Sequence, residues 1–201
     1  HHAQPTAMKM KLPNGALAQN DKENADVFEP HFQRIFNGDT PHVDITSILN
    51  KIPKKTTMSE LGDPPTKKEM DTAIKNMANG KAPGDSKIPA EPLKALSDDA
   101  KETLLEILVE CFKGDLNPDE WHTAILRFLH KKNDPSNPTN WRGICLKDMT
   151  ARLMSSILNS RLLTIIGKHG TETQYGSQPS RGSTDGTFVL RSAIQTRRQH
   201  N

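Results

Sequence analysis

The chain has 201 residues, of which 33% are apolar, 4% aromatic and 25% charged, and its formal net charge is +3. Content this lean in apolar residues suits one ordinary domain, alone or with an ordered extension, and leaves part of the chain loose or dependent on a partner. No apolar run reaches the length of a membrane span, and two cysteines without a framework fit a reducing, intracellular setting, nuclear or cytoplasmic.

In chain order, His1-His2 reads as a tag remnant, no leader peptide is expected, and residues 1–19 are polar and patternless, a flexible lead-in. Val27-Phe28, His31-Phe32 and Ile35-Phe36 recur four residues apart and predict a short amphipathic helix, with Pro30 in its first turn or at a kink. The stretch 38–65, with Pro41, Pro53, Pro64 and Pro65, has no helical period and reads as an extended connection. Thr66 and Glu69 then form a capping box for a helix whose apolar face is Met70, Ala73, Ile74 and Met77, with Gly80 as its stop. Residues 80–89, GKAPGDSKIP, are a loop rich in breakers. Ser97, with Asp98 and Asp99 behind it, opens a helix with Leu104, Leu105, Leu108, Cys111 and Phe112 on its face, and Gly114 closes it.

After Trp121 the period changes. Residues 124–131 (AILRFLHK) and 141–146 (WRGICL) predict two strands joined by KNDPSNPTN, a loop dense in turn residues. A long helix follows, burying Leu153, Met154, Ile157, Leu158, Leu162, Ile165 and Ile166. A glycine-rich bend at 167–182 leads to a last helix from about Ser183, which reads as cut off in a charged stretch rather than finished. Cys111 and Cys145 read as buried small hydrophobes. The expected fold class is α+β and helix-rich, with one β-hairpin.

Charge is distributed unevenly. Residues 1–120 carry 15 Lys/Arg against 20 Asp/Glu, a balance of −5, whereas 121–201 carry 12 against 4, a balance of +8. A local excess of that sign is the electrostatic footprint of a surface that follows phosphates, although a solvated basic face has the same count. Lys131 and Lys132 fall where the first strand ends and Arg142 opens the second, so a ribbon brings three cations to one end. There they can grip phosphate, lysine as a mobile point charge and arginine as a bidentate fork. The same lysines can equally guard an exposed ribbon edge against pairing. Other chemistry comes out empty: His122, His130 and His169 lack partners at zinc spacing, no nucleophile elbow occurs, and GDSKIPAE has no phosphate-loop lysine.

The hairpin LHKKNDPSNPTNWRGICL resembles the fingers hairpin of reverse transcriptases, and the order of segments is similar to that of non-LTR (LINE-type) retrotransposon polymerases. Phe32–Phe36 resembles the short helix ahead of the polymerase domain, and NGKAPGDSKIPAEPLKAL (79–96) the family's GKAPG block. Trp121-His-x-Ala-Ile-Leu matches the approach to the hairpin, Thr150–Arg161 the helix after it, and Gln174-Tyr-Gly176 with Arg181-Gly-Ser-Thr184 the following Q-x-G-F…R-x-x-x-T block. The resemblance covers about 20–200. It implies a helical N-terminal extension and start of fingers over 20–120, and the fingers hairpin, long helix and first edge of an incomplete right-hand palm over 121–201. It further implies that Lys131 or Lys132 with Arg142, and Arg181 behind the bend, approach nucleotide or template phosphate, and that Gln174, Tyr175 and Gly176 lie near template and nucleotide.

The chain departs from the pattern in places. The family's GKAPGPDGIP is GKAPGDSKIP, Ser177 stands where an aromatic is usual, and the Arg-Pro-Ile of many relatives is Arg142-Gly143-Ile144. Such changes fit a drifted copy or a working enzyme of a divergent branch. Polymerisation in the family uses two Mg2+ ions held by palm aspartates, including a Tyr-x-Asp-Asp turn. The carboxylates of this region are Asp134, Asp148, Glu172 and Asp185; Asp148 and Asp185 take helix-cap positions, and no Tyr-x-Asp-Asp occurs. No catalytic residue and no metal ligand is therefore expected in this chain. The expected function is a piece of an RNA-directed DNA polymerase that binds RNA template, primer–template duplex and, in the complete enzyme, dNTP, with the missing palm and thumb as further partners. The alternative is a non-catalytic retroelement-derived module that binds nucleic acid or a protein.

Overall fold

A computed structural model describes residues 8–38, 45–52, 58–176 and 178–199. The described chain is helix-rich with one two-stranded antiparallel sheet, an α+β structure. It folds as two compact units, each assembled from three separate stretches. The predicted segments 20–120 and 121–201 both contribute to both units.

The first unit gathers 1–57, 82–88 and 119–148. Its frame is helix α1 (Asp21–Asn37), the four-residue helix α2 (Thr46–Leu49) and the hairpin of β1 (Ile125–His130) and β2 (Trp141–Leu146). Asn20 caps α1 by accepting from the Glu23 amide, so the helix starts well ahead of the predicted apolar pairs. Pro30 lies inside the helix rather than in its first turn. Phe28 and Phe32 are buried on its inner side and meet Met10, Ala18 and Trp141 in the core, flanked by Leu126 and Phe128.

That core corrects the expectation of a flexible lead-in for the part of it that is described, from Met8 on. Lys11 and Leu17 form an antiparallel bridge, and Met10 is fully buried. The buried Asn24 side chain holds the segment at both ends, accepting from Met10 N at 2.9 Å and donating to Met8 O at 3.0 Å. An amide buried beside aromatic rings is tolerable because both its groups are paired. The sequence reading missed this because one buried methionine makes no periodic pattern.

The second unit gathers 58–81, 89–118 and 149–201. Its helices are α3 (Lys67–Asn76), α4 (Ala90–Lys94), α5 (Asp98–Lys113), α6 (Met149–His169) and α7 (Ser183–Gln199). The predicted capping box of α3 is formed in full by Thr66 and Glu69. Helix α3 ends at Asn76, with Met77 already extended, so Gly80 (φ +66°) turns the following loop and does not itself stop the helix. Ser97 caps α5 and Gly114 ends it in the left-handed conformation at φ +85°. Met70, Ala73 and Ile74 of α3, Leu93 of α4, Leu104 and Leu108 of α5, and Leu153, Met154 and Ile157 of α6 are buried. The second half of α6 departs from the prediction: Leu162 and Ile166 are exposed. Among the described residues no helix is long and apolar enough to cross a membrane.

Candidate nucleic-acid interface

The hairpin is antiparallel and in register from Ile125 opposite Leu146 to His130 opposite Trp141. Lys131 N donates to Asn140 O at 2.9 Å and extends the ladder by one pair. Side chains alternate across a strand, so the register divides the ribbon into two faces. Leu126, Phe128 and His130 share the inner face with Trp141, Gly143 and Cys145. Phe128 stacks on Phe28 at 4.0 Å and on Phe32 at 5.1 Å between ring centroids, and Trp141 meets Phe28 edge-on at 5.7 Å. A Cβ on Gly143 would come 2.9 Å from both Leu126 Cδ1 and Phe32 Cε1, so those two side chains would have to shift for any larger residue. Cys145 is exposed, against expectation, because it lies near the open end of this face.

The outer face carries Arg127, Leu129 and Lys131 on one strand and Arg142 and Ile144 on the other. Arg127 is paired with Ile144 and Arg142 with Leu129, so the two guanidinium side chains are diagonal neighbours across the ribbon. Leu129 and Ile144 lie exposed between them. Among the described residues none of Arg127, Lys131, Lys132 and Arg142 forms an ion pair with a carboxylate. Sequence reasoning missed Arg127. Its signal was the alternation of AILRFLHK, which sets residues 127, 129 and 131 on one face.

Lys132 follows the ladder and begins a loop folded tightly on itself. The Asp134 carboxylate accepts from Ser136 N at 2.9 Å and Ser136 Oγ at 2.8 Å, and the amide of that bond chiefly holds its pKa below the usual range. Asn140 Nδ2 donates to Asp134 O at 2.9 Å, and the Trp141 indole donates to Pro135 O at 2.8 Å. These bonds give the tip a fixed shape and keep Asp134 occupied within it.

The bend belongs to the second unit. Arg181 Nη1 donates to Glu172 O at 2.9 Å, and Gln174 Nε2 donates to Gly176 O at 3.1 Å, so both side chains brace the bend itself. Tyr175 is half-buried, with its ring over Gly186 of α7, where a Cβ would lie 3.0 Å from Tyr175 Cδ2. A Cβ on Gly176 would meet nothing nearer than Gln174 Nε2 at 3.6 Å, so the surrounding fold places no demand for glycine there. Ser177 lies outside the described residues.

Asp148 stands directly before α6, at the position expected of a helix cap, and its side chain reaches back to the 80–89 loop. It is 3% exposed, and its Oδ1 accepts from Ser86 N at 3.0 Å and from the Ser86 hydroxyl, while Oδ2 has no partner. The GKAPG loop is thereby pinned beside the end of β2, where a Cβ on Gly84 would fall 2.5 Å from Asp148 N. Asp185 does serve a helix start, accepting from Gly182 N at 2.7 Å in the back-bonding half of a capping box. These carboxylates do not fit a two-metal centre. Asp134 and Asp185 are committed to local bonds and Asp148 Oδ1 to Ser86, and no three His, Cys, Asp or Glu side chains group as metal ligands among the described residues.

No family model matches the chain. It is 27% identical over 162 residues to a probable RNA-directed DNA polymerase from transposon BS of Drosophila melanogaster, covering 78% of this chain and 18% of that protein. It is 25% identical over 139 residues to an uncharacterized 149 kDa protein of transposon TX1 of Xenopus laevis, covering 69% and 11%. It is also 22% identical over 183 residues to a 115 kDa protein named for the type-1 retrotransposable element R1DM of Drosophila melanogaster, covering 90% and 17%. At this low identity the relatives support kinship with the reverse transcriptases of retrotransposons. The chain spans less than a fifth of the length of each of them.

Proposed function

We propose that the chain is the fingers portion of a non-LTR retrotransposon reverse transcriptase, and that the outer face of its hairpin holds template or nucleotide phosphate. The observation that carries this reading is the outer face itself: Arg127, Lys131 and Arg142 in register around exposed Leu129 and Ile144, with no carboxylate paired to the cations among the described residues. Guanidinium and ammonium groups without competing acids are free to neutralise phosphates. The apolar pair between them offers contact to the faces of sugars and bases of a single strand. Positioned cations of this kind stabilise the charge that builds on phosphate oxygens during nucleotidyl transfer. The chain is expected to bind RNA and primer–template duplex and not to polymerise, and no step of the proposal runs through a metal.

Fluorescence anisotropy with a labelled RNA oligonucleotide over a range of KCl concentrations tests it. Each neutralised phosphate contributes about 0.7 to the slope of log K against log salt for single strands. Changing Lys131, Lys132 and Arg142 together to Ala is therefore expected to reduce the slope by about 2, whereas an unchanged slope removes these residues from the interface.

A second reading, a non-catalytic module that contacts a protein, is favoured by α7, whose Phe188, Val189 and Leu190 are more than half exposed. Pull-down after nuclease treatment separates the two readings. Partners retained without nucleic acid support the module; partners lost with it support the polymerase piece.

A further inference from the structure

Helix α1 and strand β1 flank an open groove of about 420 Å3, lined by Phe28, Phe32, Phe36, Leu126 and Phe128, with Glu29 its one charged lining residue. Phe36 at its rim is 61% exposed. The same unit holds a second apolar surface without a partner. Ile45, Ile48, Leu49 and Ile52 along and around α2 are each more than half exposed. Their spacing is i, i+3, i+4 and i+7, the anchor pattern of an amphipathic helix lying in a hydrophobic groove.

We propose that segment 45–52 docks into the α1–β1 groove as a tethered helix, covering the phenylalanines and bracing β1 from the side opposite its cationic face. The tether suffices: seven residues separate Asn37 from Ile45, eight Cα-to-Cα steps that span up to about 26 Å when extended. A short tether also sets a local concentration on the order of millimolar, so a weak groove is filled intramolecularly before another molecule reaches it. Charge agrees as well. From Ile45 to Lys55 the sequence has three lysines (51, 54 and 55) and no acid, whereas the groove presents Glu29. Four branched aliphatic side chains facing an aromatic groove supply the apolar area that such docking removes from water. The inference stands on geometry within this unit and does not depend on the nucleic-acid reading.

The test is a disulfide trap in the full chain with Cys111 and Cys145 changed to Ser. Gln33→Cys on the groove and Ile48→Cys on the segment are oxidised at low micromolar protein. A monomeric cross-link is expected. It should form at least tenfold faster than in the same chain carrying Ile45→Asp, Leu49→Asp and Ile52→Asp. Gln33, Ile45, Ile48, Leu49, Ile52 and Cys145 are exposed and the half-buried Cys111 changes only sulfur for oxygen, so the variants keep their cores. Hydrogen exchange without any introduced cysteine gives an independent readout: amides of residues 32–37 should exchange several-fold faster in the triple-Asp variant. The proposal is overturned by equal cross-linking rates, by cross-links only between two copies, or by unchanged exchange.

Discussion

Arg161 does the work of several residues. Its Nε and Nη2 fork onto both oxygens of Glu69 at 2.6 and 2.8 Å, Nη1 reaches Asp63 O at 2.5 Å, and Nη2 reaches Pro64 O at 3.0 Å. Its guanidinium also lies 5.7 Å from the centre of the Phe112 ring. The same Glu69 closes the capping box with Thr66, so one carboxylate ties the start of α3 to α6. The Arg161 bond, more than any other contact, lowers the Glu69 pKa to about 2 from an ordinary 4.5. A carboxylate with a depressed folded pKa contributes stability that is fully present above its unfolded value and is lost as pH falls through the folded one. The window is therefore pH 4.5 down to 2, and the contribution at neutral pH is at most about 3 kcal/mol. Urea melts are expected to show wild type losing most of this increment between pH 4.5 and 2.5, while Glu69→Gln, already weaker at pH 7, loses correspondingly less over that range.

Two positions in the GKAPG loop have opposite requirements at the same scale. Lys87 sits at φ +61°, a left-handed conformation that costs a side chain with a Cβ but not glycine. Lys87→Gly is expected to raise stability by about 0.5–1 kcal/mol, and a lower thermal midpoint would contradict the backbone argument. Gly84 has no room for a methyl group, because the atoms it would strike are the backbone of Lys147 and Asp148. Gly84→Ala is expected to cost about 2–4 kcal/mol in chemical denaturation, since backbone cannot step aside as a flexible side chain can.

At the scale of elements, the hairpin gives the clearest comparison between expectation and structure. Both strands, the turn and the helix after them were legible in the sequence, because alternation and the turn residues of KNDPSNPTN are local signals. Which face is free was not legible, since either face of AILRFLHK carries apolar residues. The choice is made by Phe28 and Phe32 of α1, which take Phe128 and leave Arg127 and Leu129 outside. If the outer face meets phosphate, Arg127→Ala is expected to remove a further ~0.7 from the salt slope in addition to the lysine and Arg142 effect. Its expected cost in stability is under about 0.5 kcal/mol, as for other exposed positions. The caps at Thr66 and Ser97 and the glycine ending at Gly114 were equally legible, for they depend on neighbours three or four residues away. Asp148 was not, because its partner Ser86 lies 62 residues earlier in the chain.

At the scale of the whole molecule, apolar area remains in water. Phe188, Val189, Leu190 and Ile194 of α7 and Leu162 and Ile166 of α6 are exposed, more than isolated surface hydrophobes require. Phe188→Ser with Leu190→Ser is expected to lower self-association in analytical ultracentrifugation. Stability should change by less than about 1 kcal/mol, because neither residue belongs to a core. A large loss of stability would mean that α7 packs more tightly than its exposure indicates.

The sequence by itself determined the helices and their caps, the hairpin, the basic second half and the likeness to retrotransposon polymerases. All of these are written in near neighbours or in the order of motifs along the chain. Only the tertiary structure decided that the segment from Met8 belongs to a core, that Arg161 and Glu69 clasp across 92 residues, and that Asp148 holds a loop 62 residues earlier in the chain. It also decided that Arg127 shares a face with Arg142. The first three join distant parts of the chain through burial, of apolar side chains around Met10 and of polar groups at Arg161 and Asp148. A polar group removed from water must find its partner wherever the fold brings one.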